Sequence, residues 1–252
     1  MADAVEEPRP PKTHIRGLLA ANLVVLAGAV GVLVLFAFLV SRGTSSGWSS
    51  YKPKGGDVFT KAQNMADHVA PTYKFNGQPI AVVQAQPLLY KEAVVDGIAF
   101  TRQPFRKIGT PLKQFEPAGS TVAYVFCGTA QRCGLPSEGA ADTVPLLRRE
   151  TLELALYTFK YTPSVDSIVG LLPPAANANI AIYLKRKNFA KELAKPLDAT
   201  LPSHKVLDYE QLGPVERATI NRLTMKNTYQ SQFSQGANGA TVLVLRSLAL
   251  GQ

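Results

Sequence analysis

From Gly17 to Val40 the chain carries no charged side chain, and Asn22 is the only strongly polar residue in that run. At a helical rise of about 1.5 Å per residue it is long enough for a hydrocarbon core of ~30 Å, so the pattern predicts a transmembrane helix over 17–40. Beyond it the periods shorten. Val58–Val69 reads as a helix ended by Pro71. Tyr73–Phe75 and Ile80–Val83 flank Asn76-Gly77, the pair a type I′ hairpin favours because both central residues take positive φ. A β stretch over Ala93–Thr101, broken at Asp96-Gly97, precedes an irregular connection, Gln103–Gly119, that holds Pro104, Pro111 and Pro117.

Thr121–Cys127 (TVAYVFC) reads as a buried strand of β-branched and aromatic residues. Val144–Tyr161 reads as a helix with Asp142 or Thr143 as N-cap and Pro145 in its first turn. Its positions Leu152, Ala155, Leu156 and Phe159 form one apolar face, with Arg148 and Arg149 expected on the outer side. A strand over Val165–Leu172 follows, and strand, helix, strand in this order predicts a parallel crossover. A further strand is expected at Ile180–Leu184, then a helix over Val215–Lys226, then strands at Tyr229–Phe233 and Thr241–Leu248 that flank Gly236–Gly239. The expected fold class is α+β: one N-terminal transmembrane helix, then one soluble domain with a mixed sheet covered by two to four helices.

The predicted divisions are a flexible tail (1–16), the transmembrane helix (17–40), a flexible tether (41–57) and the α+β domain (58–252). The apolar run is about twice a signal-peptide core and no small-residue cleavage motif follows it, so a retained anchor is expected. Arg9, Lys12 and Arg16 before the span nearly balance Arg42, Lys52 and Lys54 after it. The nearest charges favour an N-terminus in the cytoplasm and an extracytoplasmic domain at the cell membrane. Trp48 and Tyr51 stand where interfacial aromatics occur, and Ala27 with Gly31 makes a small-xxx-small face for packing on another membrane helix.

The net charge of +9 changes the picture, because Asp3, Glu6 and Glu7 balance the basic residues of the tail. The excess therefore lies beyond the span, where it favours anionic lipid headgroups or anionic polymers. The basic residues are dispersed and form no arginine-rich arm, so nucleic acid is not the expected partner. One basic stretch is notable: Lys185, Arg186, Lys187, Lys191 and Lys195. If Asn188–Ala194 is helical, Phe189 and Leu193 anchor one side and the lysines offer an anionic-surface contact.

Chemistry is otherwise sparse. Cys127 and Cys133, the only cysteines, are expected to close one short disulfide. The chain has no G-x-S-x-G elbow, phosphate-binding glycine motif, zinc-ligand spacing or C-x-x-C pair. Scattered acids such as Glu116, Glu138 and Glu150 define no carboxylate pair. No catalytic residue, cofactor or metal ligand is predicted. The expected function is a non-catalytic binding or scaffolding module in a membrane or envelope complex, with the bilayer and a protein as partners. The alternative is a membrane-tethered hydrolase whose cleft is assembled from residues distant in sequence.

Overall fold

A computed structural model describes residues 48–102, 114–128, 133–135, 140–174, 179–203, 210–235 and 239–248. The expected tail, the span over 17–40 with Ala27 and Gly31, and the turn residues 236–238 lie outside the described residues. Among the described residues no helix is long and apolar enough to cross a membrane.

The unit that begins at Trp48 is α+β. Helix α1 (Val58–Val69) starts on Asp57, whose carboxylate accepts from the Phe59 and Thr60 N–H groups at 3.0 and 2.9 Å. Its buried positions, Ala62, Met65, Ala66 and Val69, follow the spacing of a single face. Next come two short strands, β1 (Lys74–Phe75) and β2 (Gln78–Pro79), joined through Asn76 and Gly77 at φ 51° and 78°. The expected turn is there, but its hairpin is a separate two-stranded ribbon. β3 (Ala81–Pro87) leaves it for the main sheet.

A second hairpin, β4 (Leu89–Tyr90) and β5 (Ala93–Val94), leads to β6 (Gly97–Thr101). β7 (Gln114–Pro117) falls in the segment expected to be irregular. It pairs antiparallel with β6, and Pro117 closes it at the sheet edge, where a missing N–H does least harm. Then follow β8 (Thr121–Gly128), helix α2 (Ala140–Tyr161), β9 (Ser167–Leu171) and β10 (Ile180–Lys185). The chain continues with the short α3 (Ala190–Leu193), then α4 (Pro214–Thr224), β11 (Thr228–Gln235) and β12 (Thr241–Ser247). α2 begins at Ala140, so Asp142 and Thr143 lie inside the helix instead of capping it, and Pro145 forgoes a bond within the second turn.

Eight strands form one mixed sheet in the order β3-β8-β9-β10-β11-β12-β6-β7. β8 and β9, linked through α2, are parallel neighbours, as the strand–helix–strand pattern predicted. β12 pairs parallel with β6, and every other pair is antiparallel. Side chains alternate between two faces. Val122, Tyr124, Phe126, Ile168 and Ile182 join the helices in the larger core. The close approach of α2 to the sheet requires Gly170, where a Cβ would stand 2.6 Å from the Thr151 methyl.

On the second face Ile98, Ala123, Val169, Ala181 and Leu243 are buried together with Leu88 and Val95 at the ends of the β4–β5 hairpin. Tyr90 of that hairpin stacks on Phe233 of β11, with ring centroids 4.7 Å apart. The hairpin thus forms a flap over this face, and the rows of side chains it leaves uncovered lead to the site described next.

Candidate functional site: a cationic cleft at the end of the sheet

On the second face each apolar row ends in a polar group. β10 presents Ala181, Tyr183 and then Lys185; β12 presents Leu243, Leu245 and Ser247. β6 presents Ile98 and Phe100, with Arg102 just past its end. The pairing register sets Tyr229 of β11 opposite Ser247, with Asn227 in the turn before it. These row ends enclose a cleft of ≈ 450 Å³. Phe100, Tyr183, Tyr229 and Leu245 supply its apolar surface, and Arg102, Lys185 and Lys187 its positive charge.

Glu116 is the only acid among the described lining residues. One carboxylate oxygen pairs with Lys185 Nζ, and the other accepts from the Tyr183 hydroxyl at 2.7 Å. Lys185 and Glu116 keep 22% and 18% of their side-chain exposure, so solvent screens the pair only in part. Burial, and then the bond to Glu116, push the Tyr183 pKa upward, so this hydroxyl remains a proton donor at neutral pH. Phe100 lies 5.6 Å from Tyr183 and 5.7 Å from Tyr229 by ring centroids, tilted to both. Asn227 donates to the Leu223 carbonyl at 2.8 Å, which fixes its position on the wall.

The residues of the predicted basic stretch take different places. Lys185 and Lys187 enter the cleft; Lys191 and Lys195 are exposed and do not line it. Arg186, one residue out of phase with Lys185, faces the other way. It donates to the carbonyls of Val165 (2.7 Å), Thr162 (2.5 Å) and Phe159, and so caps the C-terminal end of α2. Phe189 is buried and Leu193 half-buried, which anchors α3 as expected.

A second charged cluster lies inside the helix layer. Arg149, expected on the outer side of its helix, is 1% exposed. It donates to Glu216 at 2.6 Å, Glu153 at 3.1 Å, the Ser203 carbonyl at 2.7 Å and the Tyr73 hydroxyl. Burial alone would lower its pKa, but Tyr73, Glu153 and Glu216 together hold it above its ordinary value. Tyr73 also donates to Glu153 at 2.6 Å and Ser203 Oγ to Glu216 at 2.7 Å, so the cluster is a joint between α2 and α4. Removing one partner of so buried a pair costs about 3–5 kcal/mol.

The Sγ atoms of Cys127 and Cys133 stand 1.97 Å apart, at disulfide distance, as the cysteine count predicted. Gly128 is needed beside them because a Cβ there would strike the Gly134 carbonyl. His68 stacks on Tyr51 with centroids 3.8 Å apart, and partial burial lowers its pKa against the opposing charge of Glu153. Among the described residues no group of three or more His, Cys, Asp or Glu could hold a metal ion.

Sequence reasoning named Lys185, Lys187 and, among scattered acids, Glu116. It missed Phe100, Arg102, Tyr183, Asn227, Tyr229 and Ser247. The usable signal was the polar residue ending each two-residue period, as in Ile98-x-Phe100-x-Arg102. Which row ends meet depends on strand order, and period alone does not encode that. Comparison with protein families, with characterised proteins and with solved structures finds no match to this chain.

Proposed function

We propose that this protein is a single-pass membrane protein, anchored through residues 17–40 with its N-terminus in the cytoplasm. Its basic α+β unit lies outside the cytosol as a non-catalytic binding module of a membrane or envelope complex. The observation that carries the reading is the cleft itself. Its walls hold groups that bind (three cations, aromatic faces, amides and hydroxyls) around a carboxylate already paired with Lys185. Glycoside hydrolysis calls for two carboxylates across a cleft, and the described lining residues provide one. The net charge beyond the span favours an anionic partner, and the cysteine pair suits an oxidising compartment. If the folded unit starts at Trp48, residues 41–47 are all that separates it from the anchor.

The test is thiol labelling of intact cells with a membrane-impermeant maleimide, with Cys127→Ser and Cys133→Ser as controls. Labelling only after treatment with an impermeant reductant is the expected result. Protection in intact cells, with labelling after lysis and no reductant, would place the domain in the cytoplasm and sink the envelope reading.

A further inference from the structure

The walls of the cleft narrow the choice of ligand. Its volume of ≈ 450 Å³ falls within the range of small-molecule sites, about 300–1,000 Å³. Phe100 meets Tyr183 at an interplanar angle of 49° and Tyr229 at 66°, so the rings offer apolar faces without a parallel slot for a flat base. Asn188, Asn227 and Ser247 add groups that hydrogen-bond hydroxyls. Arg102 and Lys187 are exposed at the rim and attract negative charge. A polyhydroxyl ring with apolar C–H faces and an anionic substituent matches all of these.

Glu116 adds a second feature. It occupies Lys185 from inside the cleft, in the place that a ligand's anion would take. Tyr183 holds the same carboxylate by its other oxygen, so the placeholder is fixed at two points.

We propose that the cleft binds an anionic sugar, a ring carrying carboxylate or phosphate, whose anion displaces Glu116 from Lys185. This deepens the binding-module reading and rests on it. Two sources carry such chemistry: an acidic polysaccharide, or the headgroup of an inositol phospholipid.

The test is calorimetric titration of the full chain, purified in a non-ionic detergent, with trigalacturonate, neutral galactotriose and glycerophosphoinositol. One or both anionic probes are expected to bind, and galactotriose at least about tenfold more weakly. Which anionic probe binds identifies the source. Arg102→Met and Lys187→Met should each weaken binding about five- to tenfold, while Lys191→Met and Lys195→Met, outside the cleft, stay within about twofold. Glu116→Gln keeps an acceptor for Tyr183 but releases Lys185, and should tighten binding several-fold. Thermal melts check that each variant is folded.

Four results would overturn the proposal: no binding of either anionic probe, equal binding of galactotriose, equal losses at Lys187 and Lys191, or weaker binding by Glu116→Gln. The titration uses purified protein and does not depend on membrane orientation. A cytoplasmic labelling result would therefore remove the envelope reading and leave the ligand assignment standing, whereas failed titrations with extracytoplasmic labelling would remove only the ligand.

Discussion

Arg149 and Glu150 are adjacent on α2, both buried, and opposite in their treatment. Arg149 is surrounded by acceptors, among them Glu216, which comes from 67 residues away. Among the described residues neither carboxylate oxygen of Glu150 has a hydrogen-bond partner. Burial, and then the charge of Glu153, raise its pKa well above the ordinary 4.5. The folded state therefore binds a proton that the unfolded chain releases near pH 4.5. This contribution to stability is complete below that pH and is lost as pH rises toward the raised folded value. Glu150→Gln carries no titrating proton. The lowered pKa of His68 makes both proteins gain stability as pH rises through about 6.5, so Glu150 is read from the difference between them: the melting temperature of the native protein minus that of the variant should fall between pH 5 and 8. A difference that is constant or rises over that range would show that Glu150 is ionised in the fold.

At the scale of elements, two hairpins with similar turns differ in local cost. Asn76-Gly77 places at positive φ the residue types that accept it. Lys91 and Glu92, at the tip of the β4–β5 flap, take φ of 49° and 68° without being glycine or asparagine. Left-handed backbone costs such residues roughly 1 kcal/mol each or more. The flap tolerates it because Leu88, Tyr90 and Val95 anchor its ends on the second face. The double substitution Lys91→Asn with Glu92→Gly should stabilise the domain by about 1 kcal/mol, read from the midpoint of urea unfolding. An unchanged or lower midpoint would mean that the native side chains offset the backbone cost, for instance through Lys91 over the Tyr90 ring at 5.3 Å. The turn at Asn76-Gly77 was legible because its residue types state their φ. The β4–β5 turn was not, because Lys-Glu states nothing, and only a break near Asp96-Gly97 was visible there.

Over the whole folded unit, the segment after Gly47 works as a strap. Trp48 meets Tyr157 and Tyr161 edge-on at 5.4 and 5.8 Å, and its carbonyl accepts from Leu197 N–H at 2.8 Å. Ser49 bonds the Tyr157 hydroxyl at 2.7 Å, and Tyr51 donates to the Asn64 carbonyl at 2.8 Å. These aromatics, expected in a tether at the membrane surface, are packed on α1 and α2. Trp48→Ala should therefore cost about 2–3 kcal/mol in urea unfolding followed by circular dichroism. A loss below about 0.5 kcal/mol would show that the strap does not belong to the cooperative unit. Sequence reasoning placed these residues by their distance from the apolar run, since nothing local reveals a docking site more than 100 residues away on α2.

The sequence by itself determined the α+β class, most of the strands and helices, the first tight turn and the cysteine pairing. Each depends on a short period, a turn residue or a small closed loop, and such signals lie within a dozen residues of one another. It missed β7, whose four residues are too few to establish a period and end in a proline. Only the tertiary structure decided that β12 lies between β11 and β6, and with it that Arg102, Glu116, Lys185, Tyr229 and Ser247 share one cleft. The same holds for the burial of Arg149, which became tolerable when α4 delivered Glu216. Strand order and helix docking are set by how apolar faces fit together across the whole chain, and no local pattern of residues carries that fit.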